Sequence, residues 1–184
     1  MLFATIVTTE DELLQIHRLN QTNYRQHVSA EERDKEGFVS WFYPMDLLQK
    51  TQAAAPHVIV KDDDKVVGYA LTLLKEEAAF HKDLQAMFDN LSTVSYNDKL
   101  LAEYNIYCMG QICIDKPWRG KGVFSMLYQH HKLLNSGKFD MLITEISPSN
   151  PRSQKAHEKV GFKTIYTYTD ANDEWNVVAW DWRK

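Results

Sequence analysis

Ile112-Cys113-Ile114-Asp115-Lys116-Pro117-Trp118-Arg119-Gly120-Lys121-Gly122-Val123-Phe124 decides how the rest of the chain is read. An apolar strand runs into two glycines and two cations, and a helical pattern follows. Glycines let the backbone approach a ligand closely, while the free N–H groups and dipole of a helix start favour an anion. The turn is therefore a candidate phosphate site, with Arg119 and Lys121 adding charge, and its alternative is a plain tight turn. Neither GxxxxGK[ST] nor GxGxxG spacing occurs here, which disfavours a nucleoside triphosphatase and a dinucleotide fold.

Upstream, residues 106–114 read as one strand. Downstream, residues 123–134 read as a helix whose apolar stripe is Phe124, Leu127, Tyr128, Leu133 and Leu134. Residues 141–146 form a short, mostly apolar strand, and a loop leads into a helix ending at Gly161, so a parallel βαβ crossover fits. Two further strands, 163–168 and 175–182, are joined by the turn-forming 170–173. In the first half, 2–7 reads as an edge strand, and Thr9-Glu10-Asp11-Glu12 offers a capping box to a helix carrying Leu13, Ile16 and Leu19. A polar loop is expected at 29–36, an aromatic loop at 37–43 and a helix over 44–54. Residues 57–60 and 66–74 form a hairpin. The pattern weakens over 75–105, where Leu84, Met87, Phe88 and Leu91 suggest one short helix in an irregular, insert-like segment.

The 184 residues suit one domain spanning 1–184, and 44% hydrophobic with 25% charged residues is ordinary for a globular protein. A net charge of −4, with acids and bases interspersed, leaves no broad cationic surface for nucleic acid. No apolar run approaches the roughly 20 residues that cross a bilayer. With no leader pattern in the first residues, the expected location is the cytoplasm. Strict alternation puts Cys108 and Cys113 on opposite strand faces, so they should not bond to each other. Their spacing suits no metal, and the Asp62-Asp63-Asp64 run reads as a solvated turn. Adjacent His130 and His131 point about 100° apart on a helix and do not jointly close a metal site.

The phosphate turn resembles the coenzyme motif [Q/R]xxGx[G/A] of the GNAT acetyltransferase family, with Phe124 standing where that motif has a small residue. Asn150-Pro151-Arg152-Ser153-Gln154-Lys155-Ala156-His157-Glu158-Lys159-Val160-Gly161-Phe162 resembles the family's N-x-x-S…EK-[LV]-GF segment, in a form similar to phosphinothricin-acetyltransferase-like members. The resemblance implies a mixed α/β single domain whose central twisted mixed β-sheet is flanked by helices and splayed between its fourth and fifth strands. It also implies acetyl-CoA as co-substrate, with no metal. The pyrophosphate would sit on Arg119, Gly120, Lys121, Gly122, Val123 and Phe124, the pantetheine arm along Ile112, Cys113 and Ile114, and Asn150 and Ser153 nearby. The expected reaction is direct acyl transfer to an amine of a small molecule or peptide. The competing reading is a catalytically silent acyl-CoA-binding module, and a homodimer is left open.

That chemistry needs a proton acceptor for the amine, a donor to polarise the thioester carbonyl and a proton for the departing thiolate. A backbone N–H near Cys113 is the expected polarising group. Glu145 interrupts an apolar strand on the Met141 and Ile143 face, and reads either as a base or as a carboxylate at the strand's frayed end. His157 stands where the family often has a tyrosine assigned as the acid, and reads either as that acid or as a packing residue. Trp41, Tyr104 and Tyr107 are candidates to line an acceptor pocket, against a default of core packing. Trp180 and Trp182 share one face of the last strand.

Overall fold

The computed structural model describes residues 1–170 and 173–183, so the middle of the expected 170–173 turn lies outside the described residues. In chain order the main elements are β1 (Leu2–Ile6), α1 (Glu10–Asn23), α2 (Ala30–Glu36), α3 (Met45–Ala54), β2 (Val58–Asp62), β3 (Lys65–Leu73) and α4 (Lys82–Thr93). After the short β4 (Ser95–Tyr96) and β5 (Lys99–Leu100) come β6 (Ile106–Ile114), α5 (Val123–Asn135), β7 (Met141–Ile146), α6 (Pro151–Val160), β8 (Lys163–Thr169) and β9 (Glu174–Asp181). The main sheet has seven strands in the order β1-β2-β3-β6-β7-β9-β8. Strands β4 and β5 pair separately, which makes β6 and β7 its fourth and fifth strands. Those two are parallel and joined through α5; the other neighbours are antiparallel.

Each sheet face buries its own core. Leu13, Ile16 and Leu19 of α1, Leu47 and Leu48 of α3, and Leu84, Phe88 and Leu91 of α4 meet Ile59, Leu71 and Ile143 on one face. Val123, Leu127 and Tyr128 of α5 meet Val58, Val67 and Leu142 on the other, with Val160 of α6 and Phe162 beside them. Each fully buried aliphatic side chain contributes about 1.5–3 kcal/mol, which is how α4 is held although its local pattern is weak. Thr9 and Glu12 form the expected capping box on α1. Among the described residues no helix is long and apolar enough to cross a membrane.

Two features of β6 build the site. First, β6 and β7 pair only over Ile106–Cys108 against Met141–Ile143, although both strands run on to Ile114 and Ile146. The Thr144 hydroxyl donates to the Met109 carbonyl at 2.8 Å, and beyond that stitch the strands splay. Second, the register against β3 passes from Ala70↔Ile112 to Thr72↔Met109, so Leu71 faces both Gly110 and Gln111 in a bulge. A Cβ at Gly110 would collide with Leu73 Cδ1 and the Tyr43 hydroxyl, so this bulge admits only glycine without repacking. The Gln111 side chain accepts from Asn20 and the Tyr69 hydroxyl and donates to the Trp41 carbonyl at 2.7 Å. These bonds hold the 37–43 loop over the splayed strand.

The bulge also corrects the reading of the cysteines. Cys108 lies opposite Leu73 and Cys113 opposite Tyr69, and both thiols join the core beneath α1, because the extra residue reverses the alternation between them. They are buried and unbonded, as expected. Helix α2 stands where a loop was expected, started by Ser29 accepting from the Glu32 N–H at 3.2 Å. In α5, Leu133 and Leu134 are exposed at 77% and 36%, and the buried side chain on that turn is His131, which contacts the Ala70 carbonyl. Tyr107 is sealed on the α5 face and belongs to the core.

Candidate active site

A cleft of about 210 Å³ opens at the splay. Ile112, Cys113 and Ile114 form one wall, Gly120 and Phe124 the base, Asn150, Ser153 and Ala156 the opposite wall, and Gly37, Phe38 and Val39 the roof. Gly120 and Gly122 have φ of +75° and +83°, and a Cβ built at either would meet no atom within 4 Å. Gly122 begins α5 without a side-chain cap, so the first-turn N–H groups of Val123, Phe124 and Ser125 are open to a ligand. Gly122 and Lys121 lie exposed at the mouth; the Val123 side chain is buried beneath it. Across the cleft, Asn150 starts α6 by accepting from the Ser153 N–H and ties down the roof by donating to the Phe38 carbonyl, both at 3.2 Å.

Hydrogen-bond parity decides which part of β6 faces the splay. The Asp115 N–H bonds the Val67 carbonyl across β3. Alternation then points the Cys113 N–H toward β3 as well, and leaves the backbone groups of Ile112 and Ile114 on the opened edge. The Cys113 N–H itself therefore does not face the opened edge; those of its neighbours Ile112 and Ile114 do. The Ile114 carbonyl is already occupied by Arg119 Nε at 3.1 Å, which leaves the Ile112 groups and the Ile114 N–H on that edge.

Arg119 is a tether here and adds no free charge to the phosphate turn. Its guanidinium donates to Asn23 Oδ1 at 2.6 Å and to Glu36 Oε2 at 3.0 Å, joining the ends of α1 and α2 to the motif. Glu36 also accepts from Arg152 at 3.2 Å. The Arg119 hydrogen bond, opposed by burial and aided by the charges of Arg152, Arg119 and Lys116, holds the Glu36 carboxyl below its usual range. Sequence reasoning missed Asn23 and Glu36 because they lie some ninety residues from the motif and carry no pattern of their own, whereas the aromatic loop that supplies the roof was legible as a loop facing a ligand.

The acetyltransferase (GNAT) family model matches residues 13–162. The chain belongs to this family. Similar solved structures include the ribosomal-protein-S18-alanine N-acetyltransferase of Escherichia coli, at TM-score 0.64 and 13% identity, covering 98% of this chain and 94% of that one. An N-acetyltransferase from Staphylococcus aureus Mu50 gives 0.63 at 18% identity, covering 98% and 99%. A NatC complex bound to Gag peptide and CoA gives 0.65 at 11%, covering 98% of each chain. At such identities the likeness is one of fold. No curated protein matches the sequence significantly.

On the α1 face of the GNAT splay, Glu145 sits opposite Val177 on β9, and its Oε1 accepts from the Tyr168 hydroxyl at 2.9 Å. Burial raises its pKa to about 7, partly offset by the Tyr168 hydrogen bond and reinforced by Asp170. Asn90 of α4 lies beside the same Tyr168 hydroxyl, so the 75–105 segment reaches the carboxylate's partner. The Asn90 contact does not meet hydrogen-bond geometry, and its Nδ2 is left without a hydrogen-bond partner.

His157 lies on the other face, behind the cleft wall formed by Phe124 and Ser153. It is 1% exposed; Nε2 meets the Tyr128 hydroxyl at 2.6 Å and Nδ1 meets the Ser153 carbonyl at 2.8 Å. Phe124 and Phe162 pack edge-on against the ring. Burial lowers the His157 pKa to about 4, and the Ser153 bond offsets only part of that. Glu145 and His157 are therefore on opposite faces of the sheet.

Proposed function

We propose that this chain transfers an acetyl group from acetyl-CoA to an amine of a small molecule or peptide by direct attack. The observation that carries the reading is the unpaired edge of β6 beyond Met109, beside a cleft that ends on the open first turn of α5. A strand edge with free N–H and C=O groups suits the amides of a pantetheine arm, and a bare helix start suits a pyrophosphate. Gly120, Gly122 and the α5 N–H groups would hold the phosphates, with Asn150 and Ser153 shaping the far wall. Acetyl-CoA supplies the acyl group already activated as a thioester.

The chain's own residues then divide the work. Glu145 takes the proton of the attacking amine, since a carboxyl poised near pH 7 serves as a base at neutral pH. The Ile112 or Ile114 N–H polarises the carbonyl. Cys113, the one thiol at the cleft, is pushed by burial to about 12 and stays protonated, which supports direct attack over an acyl-enzyme. His157 would reach a departing thiol only by leaving Tyr128, so we assign it to positioning Ser153 and Phe124. One similar structure is named as a ribosomal-protein-S18-alanine N-acetyltransferase and another holds a Gag peptide with CoA, which supports the peptide end of the acceptor range. Cytoplasmic work, without nucleic acid or membrane, fits the charge pattern.

The test is mass spectrometry of products from a broad amine and peptide panel, with coenzyme binding measured in parallel. Acetylation of one acceptor class is expected. Gly122→Glu should abolish coenzyme binding in a folded protein, because it puts a charged side chain at φ +83° where phosphate must approach. Binding without transfer to any amine would instead identify a silent acyl-CoA module, and unchanged affinity in Gly122→Glu would remove the site.

A further inference from the structure

A second cavity, of about 420 Å³, lies at the other end of β6. Its walls include Leu74, Phe88, Leu91, Leu101 and Phe139, and its rim carries Lys75 and Lys138. Six residues of strand separate Ile106 in its wall from Ile112 in the cleft, roughly 20 Å. Packed interiors leave few voids larger than a water molecule, whereas ligand pockets begin at about 300 Å³, so a hollow of this size is not a packing fault. The walls come from two parts of the chain, α4 with the turn after β5, and the start of β6 with the loop before β7. Charge on the rim is unbalanced. Among the described residues neither Lys75 nor Lys138 makes an ion pair or a side-chain hydrogen bond; Glu76 is the one carboxylate among the lining residues, and Asp140 is engaged by the Asn105 N–H. Glu77, anchored on the Leu74 N–H behind the wall, is held neutral at pH 7 because burial raises it to about 8. A hollow of mixed lining, with apolar side chains beside Ser92 and Asn105 and two unpaired ammonium groups on its rim, complements a short hydrocarbon body ending in an anion.

We propose that this cavity binds a small amphipathic carboxylate, its hydrocarbon against Leu74, Ile106 and Phe139 and its carboxylate between Lys75 and Lys138. The site is independent of acetyl transfer, since it shares no lining residue with the cleft. It is placed to report on the cleft all the same: α4 supplies Phe88 and Leu91 to the cavity and Asn90 to the neighbourhood of Tyr168.

Isothermal titration of the full chain with octanoate, octanamide and octylammonium at pH 7 tests this. Octanoate should bind saturably with one-to-one stoichiometry, and octylammonium at least about tenfold more weakly, as two lysine contacts would give. The double change Lys75→Glu/Lys138→Glu should reverse that preference. Ala102→Trp, at an exposed position on the lining, should plug the cavity and remove octanoate binding while coenzyme affinity and melting temperature stay unchanged. Absence of saturable octanoate binding, equal binding of the octylammonium cation, displacement of octanoate by coenzyme A, or full retention in the plugged protein would each overturn the assignment.

Discussion

Two buried titratable side chains, Glu145 and His157, stand on opposite faces of the sheet at the splay, and their surroundings treat them in opposite ways. On the α1 face, Glu145 keeps one carboxylate oxygen on Tyr168 and stands beyond the last β6–β7 pair, with its pKa raised to about 7. On the α5 face, His157 spends both ring nitrogens and is closed in by Phe124, Tyr128 and Phe162. Burial disfavours charge in both, but this leaves the carboxyl poised at neutral pH and the imidazole permanently neutral there. A shifted pKa therefore marks burial in both, and on the proposed reading the side chain with a spare oxygen is the proton carrier and the one with both ring nitrogens engaged is the brace.

The largest effect expected from this contrast is catalytic. Glu145→Gln keeps the shape and removes the base, so turnover should fall by about 10²-fold or more with coenzyme affinity intact. His157→Ala should act mainly on stability. It opens a cavity and strands the Tyr128 hydroxyl, for a loss of about 2–4 kcal/mol, or roughly 5–15 °C in melting temperature. Its turnover at a temperature where it remains folded should stay within about tenfold of wild type. A stable His157→Ala protein with turnover lost at unchanged coenzyme KM would erase the distinction between the faces.

A smaller effect concerns acid. His157 is lowered from 6.5 to about 4, so its contribution is fully present above pH 6.5 and is lost as pH falls toward 4. At pH 5 that amounts to about 2 kcal/mol relative to pH 7. His57 and His131, lowered by burial to about 3 and about 4, titrate in the same sense. Urea midpoints at pH 7 and pH 5 should therefore converge in His157→Gln relative to wild type. Glu145 has the opposite sign: its raised pKa gives stability that is present below 4.5 and lost as pH rises through about 7. Glu145→Gln should be relatively more stable at pH 8 than at pH 5.

The half of the chain that carries the motifs was legible because its signals are local. A strand, a Gly-rich turn and an amphipathic helix declare themselves over about twenty residues, and the splay followed from the resemblance. Three things were not local. The bulge at Gly110 and Gln111 depends on pairing with β3, and it moved Cys113 to the Cys108 face and its N–H away from the opening. Arg119 read as phosphate charge because its partners Asn23 and Glu36 are distant in sequence. Helix α2 is polar all round and gives no periodicity, though Ser29 three residues before Glu32 was a capping signal in plain view. His131 took the buried place predicted for two leucines because the Ala70 carbonyl offered its ring a partner.

The most direct measurement of the account is the pH dependence of kcat for acetyl transfer in wild type and in Glu145→Gln, once an acceptor is in hand. The wild-type rate should rise with pH through an apparent pKa near 7 as the carboxyl loses its proton, and Glu145→Gln should be slower with that limb flattened. A Glu145→Gln enzyme that keeps the wild-type rate and the same limb would show that the proton leaves by another route and that the α1 face of the splay is not where the base stands.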